Sequence, residues 1–240
     1  VAWRGAWQGE GTNGAEREAE LQKYKVTLTE RTPMLMHADN IDWADEMELW
    51  KNNPKNKGAS KAGDDRTPAW RWIGCLNSDD PANGVVTIPS EYVMRSIMGG
   101  ASQVLMKGKT TFKALSQSGI ICEDFHWPLM VHKKPVKMGD IQVLRDFESF
   151  REHTEAVREL GFSLFVKRAA VGSSKHIRVR PRFDDWSSVG TLLVIEKQIT
   201  REVLMQMLDI AGRTKGLGDW RPGGKTPGPW GTYEADVQAI

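Results

Sequence analysis

The sequence predicts a mixed α+β fold, and three stretches carry that expectation. Tyr24 to Thr29 sets Tyr24, Val26 and Leu28 against Lys23, Lys25 and Thr27, the period of two of a strand with one buried face. Thr191 to Ile195 is an almost unbroken apolar run of strand length. Just beyond it Val203, Leu204, Met207, Leu208 and Ala211 recur at helical spacing behind Thr200, a residue type that caps helices.

The remaining elements follow in chain order. Residues 1–22 are rich in Gly, Glu and Ala without a sustained apolar period, which predicts a disordered N-terminal arm ahead of a single domain over 23–240. Arg31-Thr32-Pro33 ends the first strand, because proline has no N–H to give a ladder. Ile41, Trp43, Met47 and Trp50 are spaced as the inner side of a short helix, and Asn52 to Pro68 breaks that period as a long loop. Ser90 is expected to cap a helix from Glu91, with Tyr92, Val93, Ile97, Val104 and Leu105 facing inward. Gly99-Gly100 within it costs about 2 kcal/mol of helix propensity, which close backbone packing or a bend would explain. Glu123 to Gly139 holds two prolines and fits no period. Phe147 to Leu160 reads as a helix closed by Gly161. Phe162–Val166 and Ile177–Val179 read as a hairpin turning at Gly172-Ser173-Ser174, and Gly212 is expected to stop the last helix.

Composition narrows the function. The 240 residues carry 33 Lys+Arg against 31 Asp+Glu, a formal charge of +2. Only Cys75 and Cys122 are present, too few for a cystine framework or a four-ligand zinc site by themselves. With no apolar run of about 18 residues, a cytoplasmic protein without a membrane partner is expected. The near-zero net charge conceals segregation, which matters more than the sum. Acids crowd residues 39–48, whereas Phe165 to Arg182 holds Lys167, Arg168, Lys175, Arg178, Arg180 and Arg182 without one carboxylate. Tyr92 to Cys122 likewise holds Arg95, Lys107, Lys109 and Lys113 and no acid.

The five histidines show no metal-ligand spacing, and neither a nucleophile elbow nor a Walker loop occurs, so no cofactor, metal or catalytic residue is assigned. The chemistry lies instead in the glycine-rich segment 216–231. Glycines expose backbone N–H groups and permit close approach to a phosphate, and Trp220, Arg221, Lys225 and Trp230 interleave indole planes with cations. That is the combination that holds single-stranded nucleic acid by stacking and phosphate neutralisation. The competing reading buries both tryptophans under the loop.

These residues resemble the RAMP superfamily of CRISPR effector proteins, in particular the repeated backbone subunit that coats guide RNA. Thr29-Glu-Arg-Thr-Pro-Met-Leu-Met-His37 is similar to that family's opening strand and its proline turn. Ile88-Pro-Ser-Glu-Tyr-Val-Met-Arg95 resembles its strand-to-helix entry, and Thr191 to Ala211 followed by Gly216-Leu-Gly-Asp-Trp-Arg-Pro222 its last strand, helix and glycine-rich loop. The loop departs from the pattern by its extension over Gly223–Pro229 and by Thr232 where an arginine is expected, marks of a divergent phage or mobile-element relative. The resemblance implies a ferredoxin-like (RRM-like) β-α-β-β-α-β core with large insertions at about 40–84 and 120–185. It also implies a projecting thumb, for which Phe162 to Phe183 is the candidate.

The expected function is therefore a nucleic-acid-binding backbone subunit that polymerises along RNA or single-stranded DNA, largely independent of sequence. Its partners are the strand, further copies of itself and other effector-complex subunits. Three basic segments far apart in the chain must then meet on one groove. A metal-dependent nuclease using Asp39, Asp42 or Asp184, and a virion assembly protein built on tryptophan and glycine contacts, are the alternatives.

Overall fold

A computed structural model describes residues 21–59, 63–171 and 174–240. The expected arm up to residue 20, residues 60–62 of the long loop and the hairpin tip at Gly172-Ser173 lie outside the described residues.

In chain order the strands and helices are β1 (Gln22–Glu30), β2 (Met34–Leu35), α1 (Ile41–Asn52), β3 (Thr87–Pro89) and α2 (Ser90–Ala101). Next come β4 (Leu105–Lys107), β5 (Thr110–Thr111), α3 (Lys113–Gly119), β6 (Ile120–Cys122), β7 (His126–Val131), β8 (Lys134–Pro135), α4 (Met138–Gln142) and α5 (Phe150–Glu159). The chain ends in β9 (Ser163–Val171), β10 (Ser174–Phe183), β11 (Trp186–Val194), α6 (Arg201–Thr214) and β12 (Tyr233–Ala239). The fold is α+β with antiparallel sheets.

The main sheet runs β12-β1-β11-β7-β3, with β6 also on β11 and β8 on β7. The alternation expected at Tyr24–Thr29 suits the interior position of β1, between β12 and β11: Tyr24, Val26 and Leu28 are buried and point one way. On that side α2 and α6 pack against each other, and α6 against β12. The opposite side of the central strands carries Lys25, Thr27, Thr29, Ser187, Val189 and Thr191, which the register sets in facing pairs without an aromatic residue.

Close approach governs the core. A side chain at Gly100 would meet the Met207 carbonyl at 2.1 Å, so the glycine pair of α2 exists to let α6 cross it. Gly190 likewise opens β11 to the fully buried Trp127, whose indole would lie 2.1 Å from an added Cβ.

A second sheet, β2-β10-β9, forms the hairpin expected at Phe162–Phe183, with strands longer than the expected Phe162–Val166 and Ile177–Val179. Its base is tied to the chain's start, since the Met36 N–H donates to the Pro181 carbonyl at 3.0 Å.

Several expectations are corrected. Ser90 is the first residue of α2 rather than its cap; its N–H donates to the Phe125 carbonyl at 2.9 Å. That helix ends at Ala101, leaving Leu105 exposed on β4. Ile41 is 81% exposed because α1 buries only Met47. Gly212 does not stop α6, which runs on to Thr214, but makes room for the Tyr233 carbonyl. The unassigned stretch Glu123–Gly139 contains β7, where Trp127, Leu129 and Val131 are buried in alternation. No helix among the described residues is long and apolar enough to cross a membrane.

Candidate nucleic-acid interface

The register of the hairpin decides which cations stand together. Pairs run from Ser163 opposite Arg182 to Val171 opposite Ser174, and directly opposed residues share a face. Phe165, Lys167, Arg178, Arg180 and Arg182 therefore occupy one side, and Arg168 and Lys175 the other. The six cations are adjacent in sequence but divided in space.

The glycine-rich loop lies across the first side. It is held there by backbone bonds: Asp219 N–H to the Leu35 carbonyl at 2.7 Å, Gly231 N–H to Pro33 at 2.8 Å, and Leu217 N–H to Gly231 at 2.8 Å. Gly218 must be glycine, since its φ of +76° is left-handed and a Cβ would sit 2.2 Å from the Leu35 oxygen. These amides are spent on the loop's own closure and on β2, which corrects the expectation that they form an open phosphate cradle.

What the loop presents is aromatic. The Phe165 ring centre lies 4.9 Å from that of Trp230 and 6.0 Å, edge-on, from that of Trp220. Lys167 places its ammonium 4.3 Å from the Trp220 ring centre, and the Arg182 guanidinium lies 5.4 Å from that of Trp230. Both indoles are half-buried. The reading that buries both under the loop does not describe them.

The arginines farther along this side meet carboxylates that sequence proximity conceals. Backbone bonds from Asp65 N–H to the Ile177 carbonyl at 3.0 Å and from Ile177 N–H to Gly63 at 2.6 Å lay residues 63–65 along β10. Asp65, 6% exposed, then accepts ion pairs from Arg71 at 3.1 Å, Arg178 at 3.2 Å and Arg180 at 3.6 Å. Arg180 Nε also reaches Asp219 at 3.0 Å, and Arg182 pairs with Asp184 at 2.7 Å. Arg180 is buried and thus is not displayed as a free phosphate contact.

Two cavities open beside this cluster, and His37 lines both. One, of about 170 Å³, is walled by Tyr92, Arg95, Gly218, Asp219 and Arg221. The other, of about 460 Å³, is walled by Asp39, Lys51, Asp65, Arg71, Arg178 and Arg180 among others. His37 itself is exposed at the cavity mouth, and desolvation by the residues crowded around its ring, and next the Arg180 guanidinium, lower its pKa. Arg95 from α2, Arg178 and Arg180 from β10 and Arg221 from the loop are thus brought around one histidine.

Other expected residues lie apart. Lys107 and Lys109 stand exposed on the separate β4–β5 hairpin, and Lys225 is exposed in the extended part of the loop. Of the carboxylates considered for a nuclease, Asp39 lines the larger cavity, Asp42 is exposed in the first turn of α1, and Asp184 is bound by Arg182. Among the described residues no three His, Cys, Asp or Glu side chains are grouped to hold a metal ion. Phe165, His37, Asp65 and Arg71 join the candidate site but were not singled out by sequence reasoning, since no local pattern marks their convergence.

In comparisons with known proteins, no family model matches the chain and no curated protein matches it in sequence.

Proposed function

We propose that the protein is a single-stranded nucleic-acid-binding subunit that holds its strand by phosphate contacts and base stacking, largely without reading sequence. The observation that carries this reading is the joining, on one side of β9–β10, of three aromatic rings with Lys167 and Arg182 at ring-stacking distance. Arg95, Arg178 and Arg221 extend the basic surface around His37, as a groove fed by three segments of the chain requires.

The finer fold reading is a ferredoxin-like core of the RAMP kind. It is supported by the chain order β1-α2-β7-β11-α6-β12 laid out as β12-β1-β11-β7 with every neighbouring pair antiparallel. In this reading β9–β10 is the thumb, and the outer face of the main sheet, which has no aromatic on its central strands, is not the stacking platform. The subunit polymerises head to tail along RNA or single-stranded DNA.

Anisotropy of labelled single-stranded RNA and DNA of mixed sequence, titrated across salt concentrations, tests the proposal. Affinities that differ little with sequence, and fall with salt at roughly 0.7 per phosphate contact, are the expected result. A protein that leaves both strands unbound at low salt would refute it.

A further inference from the structure

The larger cavity holds an imbalance of charge that the aromatic platform does not use. Asp65 is one carboxylate facing three guanidiniums, those of Arg71, Arg178 and Arg180. Asp219 takes a share of Arg180 from the other side. With Lys51 and Asp39 on the same wall, four positive groups are answered by three negative ones, in a cleft where Arg180 and Asp65 each show 8% of their side chain to solvent. Uncompensated charge drawn out of water is costly, and like charges held this close repel unless an anion sits among them.

The donors needed for that anion are present. Arg178 spends only Nη1 on Asp65, which leaves Nε and Nη2 without a protein partner among the described residues. Arg71 uses Nη2 on Asp65 and Nη1 on the Asp64 carbonyl, so its Nε is likewise unspent. Both side chains are 28% exposed and line the cavity, whose volume of about 460 Å³ exceeds what one phosphate group needs. A guanidinium fork matches phosphate oxygens two at a time.

We infer that this cleft is a socket for one phosphate group, gripped by Arg71 and Arg178, with Asp65 as the positioning residue that gathers the guanidiniums. Arg71 thereby becomes a binding residue, contributed by the segment before α2 rather than by the hairpin. The anion site rests on this geometry; its assignment to a phosphate of the bound strand rests on the function proposed above. The phosphate is either an internal phosphodiester or a terminal phosphomonoester, which share the chemistry recognised here.

The test compares the full-length chain with Arg71→Ala, and with Arg71→Gln, which keeps an amide donor for Asp65 should the alanine variant fail to fold. Each is titrated with a short oligonucleotide bearing either a 5′-phosphate or a 5′-hydroxyl. Binding weakened about tenfold or more by a variant that melts normally, with a salt slope lower by about 0.7, is the expected result. Equal loss for both oligonucleotides assigns the socket to an internal phosphodiester, and loss confined to the phosphorylated one assigns it to a terminus. Affinity and slope unchanged in Arg71→Gln while the parent binds would overturn the socket and leave the strand reading standing. Should the parent bind no strand, inorganic phosphate decides. A melting temperature raised over that in chloride of equal ionic strength, and not raised in Arg71→Gln, upholds an anion socket without the strand; no difference between the two proteins ends it.

Discussion

Arg180 and Asp219, 39 residues apart, form a 3.0 Å ion pair that ties the hairpin to the glycine-rich loop. Because the Arg180 side chain is almost fully buried, its loss leaves Asp219 without its guanidinium partner, while Asp65 keeps Arg71 and Arg178. Arg180→Ala is predicted to cost about 3–5 kcal/mol of stability, as breaking one side of a buried pair does. Lys175→Ala, on the exposed opposite face, should change stability by less than about 0.5 kcal/mol. Urea unfolding of the two variants distinguishes an arginine that builds the interface from a lysine that merely decorates it, and equal midpoints would reject the distinction.

The difference between these two residues marks the limit of what the sequence made legible. Periodicity acts locally, so Tyr24, Val26 and Leu28 announced β1, and Thr200 announced α6, where its hydroxyl does accept from the Val203 N–H. The period-two signal of β7 was hidden because Pro128 interrupts a strand that still alternates Trp127, Leu129 and Val131 into the core. Pairing is not local at all. The carboxylate that organises Arg178 and Arg180 lies more than a hundred residues earlier, at Asp65, in a stretch that composition alone marks as loop. Charge segregation along the chain thus marked a candidate site without revealing which of its cations are already spent.

Trp220, Trp230 and Phe165 should separate by their readouts. Each indole packs against Phe165 and is half-buried, and under the proposed function Trp220→Ala and Trp230→Ala are predicted to weaken strand binding by about 1–3 kcal/mol per lost stack. Lys167 now covers the Trp220 ring, and a base that stacks there takes the place of its ammonium. Lys167→Met should therefore lower the salt slope by about 0.7 while retaining the stacking contribution. Parallel melting curves and anisotropy titrations are the measurement. Binding losses that merely track losses of stability would return the tryptophans to the core.

Crossing geometry makes Gly100 the tightest point between α2 and α6. Ala at this position would force its Cβ against the Met207 carbonyl, and overpacking of this kind typically costs about 1–3 kcal/mol. Gly139 in α4 has nothing within 4 Å of an added Cβ, so Gly139→Ala is predicted to stabilise by about 0.5–1 kcal/mol through helix propensity. Opposite signs in thermal melts are the expected outcome; two neutral variants would remove the close crossing as the reason for the glycine.

His153 couples stability to pH. Fully buried, it accepts the Trp72 indole N–H on Nδ1 at 3.1 Å and donates from Nε2 to the Phe147 carbonyl at 3.2 Å, which fixes the neutral tautomer. Burial lowers its pKa, outweighing the bond to Phe147 and the charge of Glu152. The unfolded chain therefore takes up the proton first as pH falls. Stability from this group is complete above the unfolded value of about 6.5, and declines as pH drops from there through the folded pKa. His37, also lowered, contributes with the same sign. Urea midpoints of the parent should fall between about pH 7 and pH 5 more steeply than those of His153→Gln, and parallel slopes would clear His153 of the role.

Assembly on the strand is the remaining prediction, and it rests on the proposed function. The two faces needed for a head-to-tail contact are both present on one chain. Arg168 and Lys175 are exposed on the side of the hairpin turned away from the aromatic platform, while α1 exposes Asp42, Asp45 and Glu48. A basic face on one copy and an acidic face on the next form a heterologous interface, which propagates instead of closing. Particle mass should consequently grow with the length of added single strand, and the growth should weaken with rising salt. Asp45→Lys combined with Glu48→Lys is expected to suppress this growth yet leave binding to a strand too short for two copies unchanged. Mass photometry over a series of strand lengths makes the comparison. Particles of constant mass on ever longer strands would refute polymerisation, and an undiminished assembly of the charge-reversed variant would move the interface away from α1.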